Sequence, residues 1–169
     1  MKDSNPVYTP LPLGHEAHLV KNEDQASAGE IKQYQQIIGL LLYVQIGSQP
    51  DISLAVGCLG QYASNPSKHH FRLAKYVLAY LNTTKDLALH YSGGNNGDGL
   101  HSYADSSWGD QEDRHSTLGF VFILANAAIS WSSRKQKTIA QSTTEAEYMS
   151  LCEASNQAMW YRTYLSELG

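Results

Sequence analysis

A chain of 169 residues with 42% hydrophobic and 17% charged residues has room for one globular domain, or one and part of a second. Its 12 Lys and Arg against 16 Asp and Glu leave a net charge of −4, which argues against a freestanding basic nucleic-acid binder. The most apolar run, Ile37 to Ile46, is about half the ~20 residues of a membrane span, and no secretory leader follows Met1. Cys58 and Cys152 stand far apart, excluding a disulfide framework or zinc ribbon and pointing to a reducing setting, cytoplasmic or nuclear.

Residues 1–26 carry Pro6, Pro10 and Pro12 without a sustained period and read as an extended arm. Residues 27–92 read as a helical segment. Ser27-Ala28-Gly29-Glu30 has the form of a capping box, and the helix it opens is expected to reach Gln45 with Ile37, Leu40, Leu41 and Val44 on one face. Pro50 starts a second helix with Ala55, Cys58, Leu59 and Tyr62 in register. Ser67 caps a third, from Lys68 to Leu81, with Phe71, Ala74, Val77, Leu78 and Leu81 as its stripe. His69-His70 at its start suits packing and capping better than metal ligation, because no third ligand is spaced for it.

Residues 87–91 alternate and read as a strand, and Gly93 to Gly99 read as a joint between domains. The remainder, 100–169, changes character. Strands are expected at 100–105, 117–124 and 128–133, the last two joined by a short turn at Ala125-Asn126, as an antiparallel meander. Asp110 and Asp113 bracket a loop and suit Asx turns. Ser142-Thr143-Thr144-Glu145 is a second capping box, opening a helix that reaches toward Leu168. The fold class is therefore α+β.

Asp105 ends the first strand of that unit, and Glu145 and Glu147 lie in the first turn of its helix. Hard cations such as Mg²⁺ take carboxylate oxygens in such places. Each residue also has an ordinary role: an Asp turns the chain after a strand, and a Glu answers the helix dipole. Capping occupies Glu145, three residues after Ser142, whereas Glu147 points about 200° away around the helix and is the better ligand. Ser133, Arg134, Lys135 and Lys137 form a basic cluster beside Trp131, able to meet phosphates or a sugar edge.

These residues resemble a known family. Tyr103-Ala104-Asp105, Trp108-Gly109-Asp110, Asp113 to Thr117, Ile129 to Gln136 and Ser142 to Tyr148 are similar to the start of the ribonuclease H domain in copia-type LTR retrotransposon polyproteins. Thr9 to Gly14, Gln36 to Tyr43, Pro50 to Val56 and Ala74 to Leu81 resemble the segment connecting polymerase and ribonuclease H in those polyproteins.

The resemblance implies that Asp105 and Glu147 are catalytic metal ligands for Mg²⁺ (or Mn²⁺). The implied reaction is two-metal hydrolysis of RNA in an RNA–DNA hybrid, beside an upstream reverse transcriptase region. The family adds a third carboxylate in an Asp-Asn motif beyond the helix and a fourth near its C-terminus. These 169 residues contain no such motif. The expectation is an incomplete ribonuclease H-like fold with slow or absent hydrolysis. Its first strand should keep an open edge that recruits residues 87–91 or a second copy, and its helix should leave Met149, Cys152 and Met159 under-packed. The alternative is a non-catalytic nucleic-acid-binding or protein-interaction remnant of a decayed element.

Overall fold

The computed structural model describes residues 5–12, 19–92, 99–107 and 115–168. The expected joint therefore lies outside the described residues except for Gly99, as do Trp108 to Arg114 with Asp110 and Asp113. The chain divides into two compact units, Met1–Leu89 and His90–Gly169, and its architecture is α+β. No helix among the described residues is long and apolar enough to cross a membrane.

The first unit is helical. Helix α1 spans Ala28–Gly47; both halves of the Ser27–Glu30 box form, satisfying backbone N–H groups at its start. A 3₁₀ turn at Pro50–Ile52 leads into α2, Ser53–Gly60, and α3 spans Lys68–Thr83. The buried face of α1 is Tyr34, Ile38 and Leu41, with Ile37 and Val44 at its margin, whereas Leu40 is 66% exposed. Leu40 was expected inside. The apolar run around it leaves the face ambiguous, and Tyr34, whose hydroxyl donates to the Leu59 carbonyl at 2.9 Å, turns the helix the other way. On α3 the deepest residues are Leu73, Ala74, Val77 and Tyr80, and Phe71, Leu78 and Leu81 flank them.

Residues 5–12 and 19–26 form neither helix nor strand, yet they do not stand apart as an arm. Leu11 and Leu19 bury in the helical core, Val7 N–H donates to Thr83 Oγ1 at 3.1 Å, and Ala26 N–H donates to Asn65 Oδ1 at 2.9 Å. Prolines suppressed regular structure here, but two leucines supplied apolar area worth burying.

His70 closes the second capping device of this unit. Its Nδ1 accepts from Ser67 N–H at 2.9 Å, while the Ser67 hydroxyl accepts from His70 N–H. The ring is fully buried and stacked on Tyr62 at 4.1 Å between centroids. Burial first, and then the neighbouring His69, hold the imidazole below its ordinary pKa.

The second unit is a three-stranded antiparallel sheet, order β1-β2-β3, covered by one helix. Its elements are β1 (His101–Ser107), β2 (Thr117–Leu124), β3 (Ala127–Lys135) and α4 (Thr143–Leu168). Ala125 and Asn126 both take left-handed backbone, φ 54° and 67°, giving the two-residue turn whose twist matches a hairpin. Beyond it Ile123 pairs with Ala128 but Phe122 with Ser130, so Ile129 bulges out of the ladder.

Residues 87–91 form no strand, although their alternation predicted one. Leu87 is 67% exposed, so the period-2 pattern has no sheet to bury against. Tyr91 instead donates to the Ala128 carbonyl at 2.7 Å and Ser92 N–H to the Ala125 carbonyl at 3.0 Å. Tyr91 and Ser92 thus meet the β2–β3 hairpin rather than the edge of β1.

Two outcomes follow from this geometry. The unfolded chain binds a proton at His70 near pH 6.5 more readily than the folded chain does. Stability is therefore fully present above about pH 6.5 and falls as pH drops through that value toward the lower folded pKa. Urea unfolding between about pH 7.5 and 5.5 measures it. His70→Gln keeps a box-competent side chain, costs about 1–2 kcal/mol through the lost ring burial, and flattens the His70 part of the slope. Ala125→Gly removes a left-handed Cβ and is expected to stabilise the hairpin by about 0.5–1 kcal/mol, read as a raised urea midpoint.

Candidate functional site

Strand alternation sorts the second unit into two faces. Leu118 and Phe122 face α4: Leu118 lines a groove with Met149, Cys152 and Glu153, and the Phe122 ring lies 5.3 Å from that of Tyr161. Their neighbours in register, Ser106 and Ala104 on β1 and Ser130 to Arg134 at even positions on β3, share that face. The odd positions take the other. Asp105, Gly119 and Ser133 form one cross-strand row of the open face, Ser107, Thr117 and Lys135 the next, and Tyr103, Val121 and Trp131 the one before.

This divides the expected basic cluster. Ser133 stands on the face of Asp105, and Lys135, in the next row of that face by alternation, also lines the groove against α4 at the end of β3. Arg134 stands on the opposite face, in an ion pair with Glu153 of α4. Lys137 lies past the end of β3 and is exposed. Four residues nearly adjacent in sequence cannot share one face of a strand.

Helix α4 lies chiefly on β1 and secondarily on β2. Its sheet-facing residues, Ala146, Ser150 and Ala154, recur every four positions and are small. They let the helix backbone come close enough for the Ser150 hydroxyl to reach two sheet carbonyls, Asp105 O at 2.8 Å and Gly119 O at 3.2 Å. Gln136 fixes the helix start: its Nε2 donates to the Ala146 carbonyl at 3.2 Å and its N–H to the Ser116 carbonyl at 2.8 Å. Neither Ser150 nor Gln136 stood out as a site residue in the sequence. The available signal was the spacing Ala146-Ser150-Ala154 itself.

This contact sets the azimuth of the two glutamates. Taking 100° per residue, Glu147 lies about 60° from the centre of the buried stripe and Glu145 about 140°. Met149 and Glu153, on one flank, face Leu118 and Arg134 to Thr138 across a groove of about 350 Å³. Glu147 is on the other flank, toward β1. Among the described residues β1 pairs with β2 alone, so its outer edge is free. Asp105 and Glu147 therefore border the free edge of β1 from its open face and from its helix side. Both are exposed, and neither carboxylate has a partner among the described residues.

Glu145 is engaged at its own helix start. Its carboxylate accepts from Gln141 N–H at 2.6 Å, and its N–H donates to Ser142 Oγ at 3.1 Å. The carboxylate reaches one residue beyond the usual box partner. Among the described residues no three His, Cys, Asp or Glu side chains converge to hold a metal ion. Asp105 projects from the sheet face opposite α4, whereas Glu147 belongs to α4 itself, so the two carboxylates stand on different sides of the sheet.

Toward its end α4 outruns the sheet. Its 26 residues span about 39 Å, but its fully buried positions stop at Ala154. Met149 is half-buried, while Cys152 and Met159 are exposed, and Trp160 stacks on Tyr164 at 5.1 Å on the outer surface.

Ser150→Ala is expected to lower stability by about 1–2 kcal/mol, because two sheet carbonyls lose a buried donor. Ala154→Leu should cost about 1–3 kcal/mol by holding the helix off the sheet. Urea unfolding of both variants checks the close approach, and an unchanged midpoint in both would remove it.

The chain is similar over its whole length to the retrovirus-related Pol polyprotein from transposon TNT 1-94 of Nicotiana tabacum, at 36% identity over 176 residues. It is likewise 37% identical over 170 residues to the retrovirus-related Pol polyprotein from transposon RE2 of Arabidopsis thaliana. It spans 13% and 11% of the lengths of those two polyproteins. The secreted RxLR effector protein 161 of Plasmopara viticola is 41% identical over 128 residues, which is 75% of this chain and 89% of that protein. No family model matches the chain, and no solved structure matches it.

Proposed function

Because the chain belongs to the copia-type retrovirus-related Pol polyproteins of transposons, we propose that its second unit serves as the ribonuclease H-like part of such a polyprotein, working inside the cell. In this reading Asp105 and Glu147 hold Mg²⁺ or Mn²⁺ for endonucleolytic cleavage of RNA in an RNA–DNA hybrid made by the upstream reverse transcriptase region. The observation that supports it is that Asp105 and Glu147, both exposed and without a partner among the described residues, flank the outer edge of β1, which among those residues pairs with β2 alone.

Each residue has a part to play. Asp105 and Glu147 supply the oxygen donors, and a bound Mg²⁺ supplies Lewis-acid polarisation of the scissile phosphate. Lys135 and Ser133, on the face of Asp105, meet phosphate or sugar oxygens and set the strand's position. Gly119, between Asp105 and Ser133 in the same row, leaves the carboxylate uncovered on the sheet side. Arg134 acts indirectly, holding α4 to β3 through Glu153. Ser150 is a positioning residue that fixes the β1 backbone under Asp105.

Two carboxylates neutralise the mutual repulsion of two divalent ions poorly. This chain alone is therefore expected to bind Mn²⁺ weakly and to cleave a labelled hybrid slowly or not at all. Water-proton relaxation during a Mn²⁺ titration should give binding weakened about tenfold or more by Asp105→Asn or Glu147→Gln. Metal binding indifferent to both substitutions would remove the site. Robust Mg²⁺-dependent cleavage lost in Asp105→Asn would show that two carboxylates suffice.

A second reading, a non-catalytic module, is favoured by one observation: a relative nearly coextensive with this region bears the name of a secreted effector protein. Mn²⁺ binding indifferent to Asp105→Asn and Glu147→Gln, whatever the affinity for a hybrid, would select it. The free edge of β1 also fits pairing with a second copy of the chain, which sedimentation of the purified protein detects.

A further inference from the structure

In the helical unit a second charged surface has no part in the site above. Helix α3 carries Lys68, Arg72 and Lys75 and, over its 16 residues, no acidic residue, in a chain whose net charge is −4. The three cations recur at i, i+4 and i+7, within about 60° of one another around the helix. All three are exposed, and none takes part in an ion pair among the described residues. Arg72 donates to His69 Nδ1 at 2.8 Å, which orients the guanidinium and leaves its charge uncompensated.

With Phe71, Gln33 and Glu30 these side chains line an open groove of about 430 Å³ between α3 and α1. Glu30 contributes the one negative charge. Its carboxylate is bound to Ser27 Oγ and N–H, bonds that with the nearby charge of Lys68 hold it below the usual carboxylate range, so it offsets part of the row's charge while staying at its own helix start. Like charges four residues apart repel on a helix, and an anion laid along the row relieves that repulsion.

We propose that this face of α3 binds the phosphate backbone of a nucleic acid, with Lys68, Arg72 and Lys75 contacting successive phosphates and the groove accepting a sugar or base edge. The row covers about 10 Å of helix, a length over which a strand presents several phosphates. Gln33 offers an amide for a sugar or base edge. A lipid surface is disfavoured because the groove's one large apolar residue does not project: Phe71 packs edge-on against buried Tyr34, ring centroids 5.1 Å apart. An acidic peptide has no reason to present charges in so regular a row.

The test uses the whole chain and a fluorescent RNA–DNA hybrid of about 18 base pairs, titrated at several salt concentrations. The triple variant Lys68→Gln, Arg72→Gln, Lys75→Gln should bind at least about tenfold more weakly, with a salt slope shallower by about 2–3. The swap Lys68→Arg, Arg72→Lys, Lys75→Arg should keep the slope. The single variants Lys68→Gln and Lys75→Gln, at exposed positions, should each lower it by about one, so the test stands even where the triple variant unfolds. Equal affinity and slope in the triple variant, or no hybrid binding by the parent chain at low salt, overturns the proposal. So does capture of a polyglutamate peptide or phosphatidylserine vesicles in preference to the hybrid. None of these readouts involves Asp105 or Glu147, so failure here leaves the metal site untouched, and failure there leaves this surface untouched.

Discussion

The close approach of α4 to the sheet is the constraint on which the second unit depends. Ala146, Ser150 and Ala154 bury little apolar area, so the helix is not held by bulk. It is held by proximity. The Ser150 hydroxyl sits within hydrogen-bond reach of both Asp105 O and Gly119 O, and Gln136 ties the first turn to the strand that precedes it. A larger residue at any of the three positions would lift the helix and take Ser150 out of reach. With the helix seated, the direction of every other side chain on it is decided: Met149 and Glu153 toward β3, Glu147 toward the free edge of β1.

The same constraint explains the asymmetry of the sheet. One helix covers one face, and among the described residues no helix or strand of this unit lies on the face bearing Tyr103, Asp105 and Ser133. The exposed second half of α4, with Trp160 stacked on Tyr164, is a further consequence. The helix is longer than three strands can cover.

The helical unit is built differently. Its tyrosine hydroxyls find acceptors inside it: Tyr34 donates to the Leu59 carbonyl, Tyr62 to the Leu19 carbonyl, and Tyr80 to the Asp51 carboxylate. Burial, helped by Asp51, pushes the Tyr80 phenol up to about 12, so the hydroxyl stays a donor. These bonds join the irregular segment 19–26 and the Pro50 turn to the helices. They also keep the charged groups outside, where α3 concentrates three cations.

Much of this was set by local sequence. Ser27-Glu30, Ser67 and Ser142 announce helix starts because short side-chain oxygens cap backbone N–H groups over three residues, a purely local effect. The meander follows from β-branched and aromatic runs and from a two-residue turn that restricts how the strands reverse. Asp105 and Glu147 stand out in the sequence beside a strand and a capping box, but β1 runs on to Ser107, so Asp105 lies within the strand rather than at its end. Tertiary structure decided what local pattern leaves open. Leu40 turned outward because Tyr34 found a carbonyl in α2, and residues 87–91 form no strand, with the Tyr91 hydroxyl given to the Ala128 carbonyl. The basic cluster parted because alternate residues of a strand face opposite ways, and only the contact with α4 shows which way is inward. Burial and partner choice are properties of the whole fold, and a hydroxyl such as that of Ser150 acquires its role only when two distant strands are brought beneath it.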